Sequence, residues 1–229
     1  MNWSLLSLRV GQVQSGPRGK PTAIDKQPVA EPQYLGLTGF QLDQQGDTVH
    51  HGGPEKAVHH YAADHFDWWR AELAAQPARN LQPGAFGENL STLGLTEDEA
   101  ALGDVFQLGR AVLQISQPRQ PCWKLNVRMN VPDMALRVQM SGRTGWYYRV
   151  LEPGWVAPGD ALARVQRPHA HWTLACTLRV LYRDGLNMEA LAQLAELPVL
   201  APRMRALAQR RLASCAIEDW DSRLQGAQP

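Results

Sequence analysis

The stretch Val105-Phe106-Gln107-Leu108-Gly109-Arg110-Ala111-Val112-Leu113-Gln114-Ile115-Ser116 decides the fold class. Two β-type runs, 105–108 and 111–116, flank a glycine-containing turn, and that pattern reads as a β-hairpin. Working outward, 5–13 and 146–151 read as further strands, and Glu152-Pro153-Gly154 as another turn. Many short strands at this spacing predict a barrel or sandwich-like β domain. Two helices interrupt it. Segment 63–74 carries Phe66, Trp69 and Leu73 at helical spacing, and 132–140 opens on Pro132 and stops before Gly142. Beyond residues 166–168 the pattern turns helical, with 173–182, 188–197 and 202–213 as short helices punctuated by Gly185 and Pro198. The expected division is a β-rich domain over 1–165 and a small three-helix domain over 166–229, an α+β chain that is mainly β.

The composition narrows the function classes. The chain has 229 residues, 44% of them hydrophobic, and a net charge of +1. A general nucleic-acid binder carries a basic excess that is absent here. No apolar run approaches the roughly 20 residues needed to span a bilayer. Residues 1–9 lack a basic segment followed by an apolar core and a small-residue cleavage site, so a cytoplasmic location is expected. Three cysteines, Cys122, Cys176 and Cys215, form no disulfide framework and no C-x-x-C zinc pair.

Cys122 follows the hairpin's second strand in Gln117-Pro118-Arg119-Gln120-Pro121-Cys122-Trp123-Lys124-Leu125. Pro118 and Pro121 stiffen this loop, and the cations Arg119 and Lys124 flank the thiol. Nearby cations lower a thiol's pKa, and the thiolate is the species that ligates soft metals or attacks. From these residues alone Cys122 is either reactive or a small buried hydrophobe. Cys176 and Cys215 fall on the C-terminal helices, where packing is the better reading.

Three further segments can carry chemistry. His50-His51-Gly52-Gly53-Pro54-Glu55-Lys56, followed by His59-His60-Tyr61, offers a glycine turn with a cation, either an anion-binding turn or a plain connection between strands. Its histidine spacing does not match a zinc site. Gly84-Ala85-Phe86-Gly87-Glu88-Asn89 places a carboxylate and an amide where they can bond a heterocycle edge or only each other's backbone. Gly142-Arg143-Thr144-Gly145 can cradle a phosphate or form a simple turn, and it is not a P-loop.

In this order the segments resemble the MOSC family, in its YiiM-like branch. The matching text is Gly19-Lys20-Pro21-Thr22-Ala23-Ile24, His51-Gly52-Gly53-Pro54 with Lys56 and His60-Tyr61, and Phe86-Gly87-Glu88-Asn89-Leu90-Ser91. It continues through Gly94-Leu95-Thr96-Glu97, Gly103-Asp104, Ser116-Gln117-Pro118-Arg119, Pro121-Cys122, Lys124-Leu125 and Gly145-Trp146. The tail is similar to that branch's three-helix domain, down to Gln209-Arg210-Arg211-Leu212. The resemblance implies a MOSC-type β-barrel that binds the molybdenum cofactor, molybdopterin with molybdenum, through Cys122 as the metal's thiolate ligand.

It also implies reduction of N-hydroxylated small molecules such as N-hydroxylaminopurines, a detoxifying activity. Lys56, Gly87, Glu88, Asn89, Arg119, Lys124 and Arg143 are the expected cofactor contacts. His51, His60 and Glu88 are the candidate proton sources. Electrons are expected from an external donor protein, and the assembly is expected to be a homodimer, with no nucleic-acid or membrane partner. The competing expectation is a sulfur or molybdenum-cofactor carrier that uses a Cys122 persulfide without turnover.

Overall fold

The computed structural model describes residues 1–47, 52–76 and 81–226. Its strands are β1 (Asn2–Val10), β2 (Gln14–Ser15), β3 (Pro21–Thr22), β4 (Gln27–Pro28), β5 (Gln33–Gly36), β6 (Gly39–Phe40), β7 (Val58–Ala62), β8 (Leu90–Thr92), β9 (Val105–Leu108), β10 (Ala111–Pro118), β11 (Trp146–Glu152), β12 (Gly154–Val156) and β13 (Ala161–Gln166). Its helices are α1 (His65–Glu72), α2 (Lys124–Met129), α3 (Met134–Ser141), α4 (Leu174–Tyr182), α5 (Met188–Glu196), α6 (Pro202–Ser214) and α7 (Asp221–Leu224).

The predicted hairpin is β9–β10, in register Leu108 to Ala111 and Val105 to Gln114. Gly109 turns it at φ 55°, where an added Cβ would lie 2.5 Å from the Trp155 carbonyl oxygen. The main sheet runs β13-β9-β10-β11-β7-β8-β1, and β13 pairs back onto β1 to close a seven-stranded barrel. Only β7–β8 is parallel among these pairs. The alternation of β10 shows how the closed sheet sorts its faces. Ala111, Leu113 and Ile115 point inward and are fully buried, while Val112 and Gln114 are half-exposed. From Ser116 onward both faces are covered, because the loop before α6 lies on the strand: Ala201 N–H donates to Ser116 O at 3.0 Å.

The apolar core does not stop at residue 166. Leu8, Phe106 and Tyr148 of the barrel belong to one cluster with Leu181, Leu194 and Leu207 of α4, α5 and α6. A second cluster forms outside the barrel, where Tyr61, Trp69, Phe86, Leu125, Met129 and Val138 pack together. Tyr61 and Phe86 stack with ring centroids 4.0 Å apart. This second core roots two loops at once: 84–89 through Phe86, and 119–124 through Leu125 at the start of α2. Nothing in the local sequence marks α2, because six residues with two buried apolar positions are too short to show helical periodicity.

Candidate functional site

The two loops rooted in the second core meet at a cavity beside the barrel. It holds ≈ 670 Å³ of space including its open mouth. Cys122, half-buried, lines it. So do Lys56, Gly87, Asn89, Arg119 and Lys124, all expected from the sequence. Each is held by its surroundings. Lys124 Nζ donates to Pro21 O at 2.9 Å. Arg119 N–H donates to Gly145 O at 3.0 Å, fixing the loop where it leaves β10. Asn89 accepts from His59 N–H at 3.0 Å and donates to Arg9 O and to Asp43, both at 3.0 Å. Gly87 has φ 77°, and a Cβ there would meet Ile24 Cγ1 at 2.5 Å, so a side chain has no room at this wall.

The cavity is cationic and partly unsatisfied. Lys56 lines it with its pKa drawn down to about 8, mainly by burial and further by the neighbouring Arg203 guanidinium. Burial likewise lowers Lys26, which the carboxylate of Asp43 holds in an ion pair. Arg119 is 5% exposed, and its Nη1 has no hydrogen-bond partner. His59 Nε2 is in the same position, and burial keeps that ring neutral well below its usual pKa. Leaving buried polar atoms unpaired costs roughly 1–3 kcal/mol each. Both atoms belong to residues that line the cavity.

Three expected residues are not brought here. His60 is fully buried in the barrel, stacked on Trp146 at 4.4 Å. Its ring nitrogens pair with the Tyr148 and Thr92 hydroxyls at 3.0 and 2.9 Å, and burial takes its pKa down to about 3. It cannot act as a proton source for the cavity. Glu88 is also fully buried, and its carboxylate accepts from Gly84 N–H at 2.5 Å, Phe86 N–H at 3.0 Å and the Ser91 hydroxyl at 3.2 Å. It clamps the 84–89 loop and does not face a ligand. Arg143 lies over the Trp68 ring at 4.1 Å and lines a different cavity with His65, Glu97 and Tyr182. The glycines beside it have structural reasons: Gly142 ends α3 at φ 73°, and a Cβ on Gly145 would lie 2.3 Å from His60 O. His51 lies outside the described residues.

His59, Lys26, Asp43 and Tyr147 line the cavity and were not singled out from the sequence. His59 and His60 are adjacent on β7, so they point to opposite faces. All five residues of β7 are buried, and the polar alternation that would have told the two apart is missing. Lys26 and Asp43 lie on separate loops, where no local spacing signals their pairing.

An anionic, sulfur-rich cofactor suits this donor set. The thiolate of Cys122 is a soft ligand, and Lys56, Arg119 and Lys124 match a phosphate. Arg119 Nη1 and His59 Nε2 await partners. Among the described residues no group of three or more His, Cys, Asp or Glu could hold a metal ion by itself. No helix among them is long and apolar enough to cross a membrane.

Residues 47–163 match the MOSC domain, and residues 172–214 the YiiM-like, 3-alpha helix domain. YflK of Bacillus subtilis is 41% identical over 207 residues, covering 89% of this chain and 92% of its own. YiiM of Escherichia coli is 37% identical over 219 residues, covering 94% and 96%. The crystal structure of that protein superposes with a TM-score of 0.83 at 30% identity, over 99% of this chain and 100% of its own. A reductase of Gibberella moniliformis is 36% identical over 198 residues, 85% of this chain but 35% of the longer fungal protein. With its barrel, its cysteine loop and its helical tail all matched, the chain belongs to the MOSC family, in the YiiM-like branch.

Proposed function

We propose that the chain is a molybdenum-dependent oxidoreductase that reduces N-hydroxylated small molecules, N-hydroxylaminopurines among them. Cys122 Sγ is the thiolate ligand of the metal. The observation that carries this reading is the cavity itself: one cysteine among Lys56, Arg119 and Lys124, with Arg119 Nη1 and His59 Nε2 buried and unpartnered. Membership of a family associated with molybdenum-cofactor binding, and similarity to a named reductase, support it.

When bound, the cofactor supplies a two-electron reduction that takes the oxygen of an N–OH group and releases the amine. The chain's own residues do the rest. Cys122 anchors the metal. Arg119 and Lys124 neutralise the anionic end of the cofactor. Asn89 and the His59 ring present polar atoms to the heterocycle. Gly87 lets the wall come close. Lys56 Nζ faces the same cavity and can hand a proton to the departing oxygen. The two electrons come from an external donor protein. A homodimer in the cytoplasm completes the proposal.

Metal and pterin analysis of freshly purified protein tests it, beside Cys122→Ala and Cys122→Ser. The wild type should carry molybdenum, and both variants should lose it together with reductase activity. A Cys122→Ala protein with full activity would overturn the reading. An extra sulfur on Cys122 without molybdenum would favour the persulfide carrier.

A further inference from the structure

We propose that residues 220–226, which follow the three-helix domain, form a strap that holds Cys122 in place, with Arg223 as the positioning residue. The inference rests on Cys122 as the reactive centre, but not on the identity of the metal. The segment lies beyond both family matches, which end at residues 163 and 214.

The backbone on each side of Cys122 is tied to Arg223. Its Nη1 donates to Pro121 O at 2.6 Å. Its own carbonyl oxygen accepts from Trp123 N–H at 2.8 Å. The other arm, Nη2, donates to Gln139 Oε1 at 2.6 Å, and Gln139 is 1% exposed on α3. The guanidinium thus spans from the second core to the cysteine loop. Both Nη atoms hold uncharged carbonyl oxygens, a use of the rigid fork that a lysine cannot copy.

Neighbouring strap residues add to this grip. Leu224, 4% exposed, accepts from Asn126 Nδ2 at 2.9 Å on α2. Arg18 lies 4.9 Å from the Trp123 ring and bonds Gln225 O at 3.4 Å. Gly226, at φ 80°, comes so close to that ring that a Cβ would lie 3.1 Å from it.

The loop needs such outside support. Pro118 and Pro121 have no N–H to give, Arg119 N–H donates to Gly145 O, and Leu125 N–H donates to Cys122 O where α2 begins. Proline restricts each residue's own dihedrals, but it does not fix where the loop sits relative to the cavity. Arg223 supplies that link from about 100 residues downstream in the chain. Three of the strap's polar contacts fall on Pro121, Trp123 and Asn126, around the thiol, and two more reach Gln139 and Arg18.

The test uses the full chain from a host that cannot make the cofactor, so that the thiol is read directly. A short iodoacetamide pulse followed by peptide mass spectrometry compares Cys122 with the exposed Cys176 and Cys215 in the same molecule. Arg223→Ala should raise the Cys122-to-Cys176 ratio about tenfold, the population change that losing one charge-assisted hydrogen bond allows. Arg223→Gln keeps one donor and should give a smaller rise; it carries the test alone if the alanine variant does not fold. An unchanged ratio in the folded variant overturns the proposal. So does an equal rise at all three cysteines, which would mean general loosening. In a cofactor-making host, a wild type without molybdenum would sink the proposed function and leave the alkylation result standing, so the two readings fail separately.

Discussion

Glu88→Gln separates two roles for a buried carboxylate. As a proton source, Glu88 would be lost from catalysis and little else would change. As a loop clamp, it gives up structure. In the fold its Oε1 accepts from Gly84 N–H and Ser91 Oγ, and Oε2 from Phe86 N–H. Glutamine can place its oxygen at only one of these points, so a buried backbone N–H then faces an NH2 group. A hydrogen bond to a charged group contributes about 1.5–3 kcal/mol, and relief from burying a charge offsets part of its loss. Burial already pushes the Glu88 pKa upward against its hydrogen bonds, so that relief is real. The net cost is about 2 kcal/mol. For a chain of this length each 1 kcal/mol lowers Tm by roughly 2–4 °C, which gives about 4–8 °C. Thermal unfolding followed by fluorescence of the eight tryptophans reads it directly. Molybdenum content should fall as well, because Gly87 and Asn89 move with the loop. A variant that melts with the wild type, loads fully and still loses turnover would return Glu88 to the role of proton source.

Other expectations follow from the same geometry. Gly87→Ala forces a left-handed conformation at φ 77° and drives Cβ into Ile24, so we expect a loss of about 2–3 kcal/mol in urea unfolding and lower cofactor content; an unaffected variant would mean the loop yields freely. His60 is held neutral in the fold with a pKa of about 3, against about 6.5 when unfolded. Its stabilising contribution is complete above pH 6.5 and is lost as pH falls from there toward 3, at about 1.4 kcal/mol per pH unit. His60→Asn should be less stable at pH 8 yet show a shallower slope between pH 6 and 4; an unchanged slope refutes this. Arg143→Ala should leave molybdenum content intact and cost about 0.5–1 kcal/mol in its contact with Trp68, whereas Arg119→Met should strip the cofactor. Equal cofactor loss in both would contradict the placement of Arg143 outside the cavity.

Much of the fold is legible in local pattern. The β9–β10 hairpin, β11, α3 and the three main C-terminal helices are declared by their residue pattern and by a nearby Gly or Pro, and α1 by the helical spacing of Phe66, Trp69 and Leu73. Elements covered on both sides, or too short for a period, are not. β7 is buried along its whole length, and α2 has six residues. Of the short strands between residues 14 and 40, β2 pairs with β3, β4 with β1 and β5 with β6, all near in the chain, and only β5 also takes a distant partner, β12, with Trp155 opposite Tyr34.

The site divides in the same way. The order of the loops that carry Cys122, Lys56, Arg119, Gly87, Asn89 and Lys124 is written in the sequence, and through that order so is the family, whose resemblance groups these residues with Glu88 and Arg143 as expected cofactor contacts. Which way each side chain turns was decided by tertiary packing alone. Strand parity sends His60 into the barrel and His59 to the cavity. Backbone N–H groups capture Glu88, and a tryptophan face captures Arg143. Arg223 meets the Cys122 loop across a sequence separation of 102 residues. Residue identity fixes what a group can do; direction and distance depend on contacts between segments remote in sequence, and no local pattern records those.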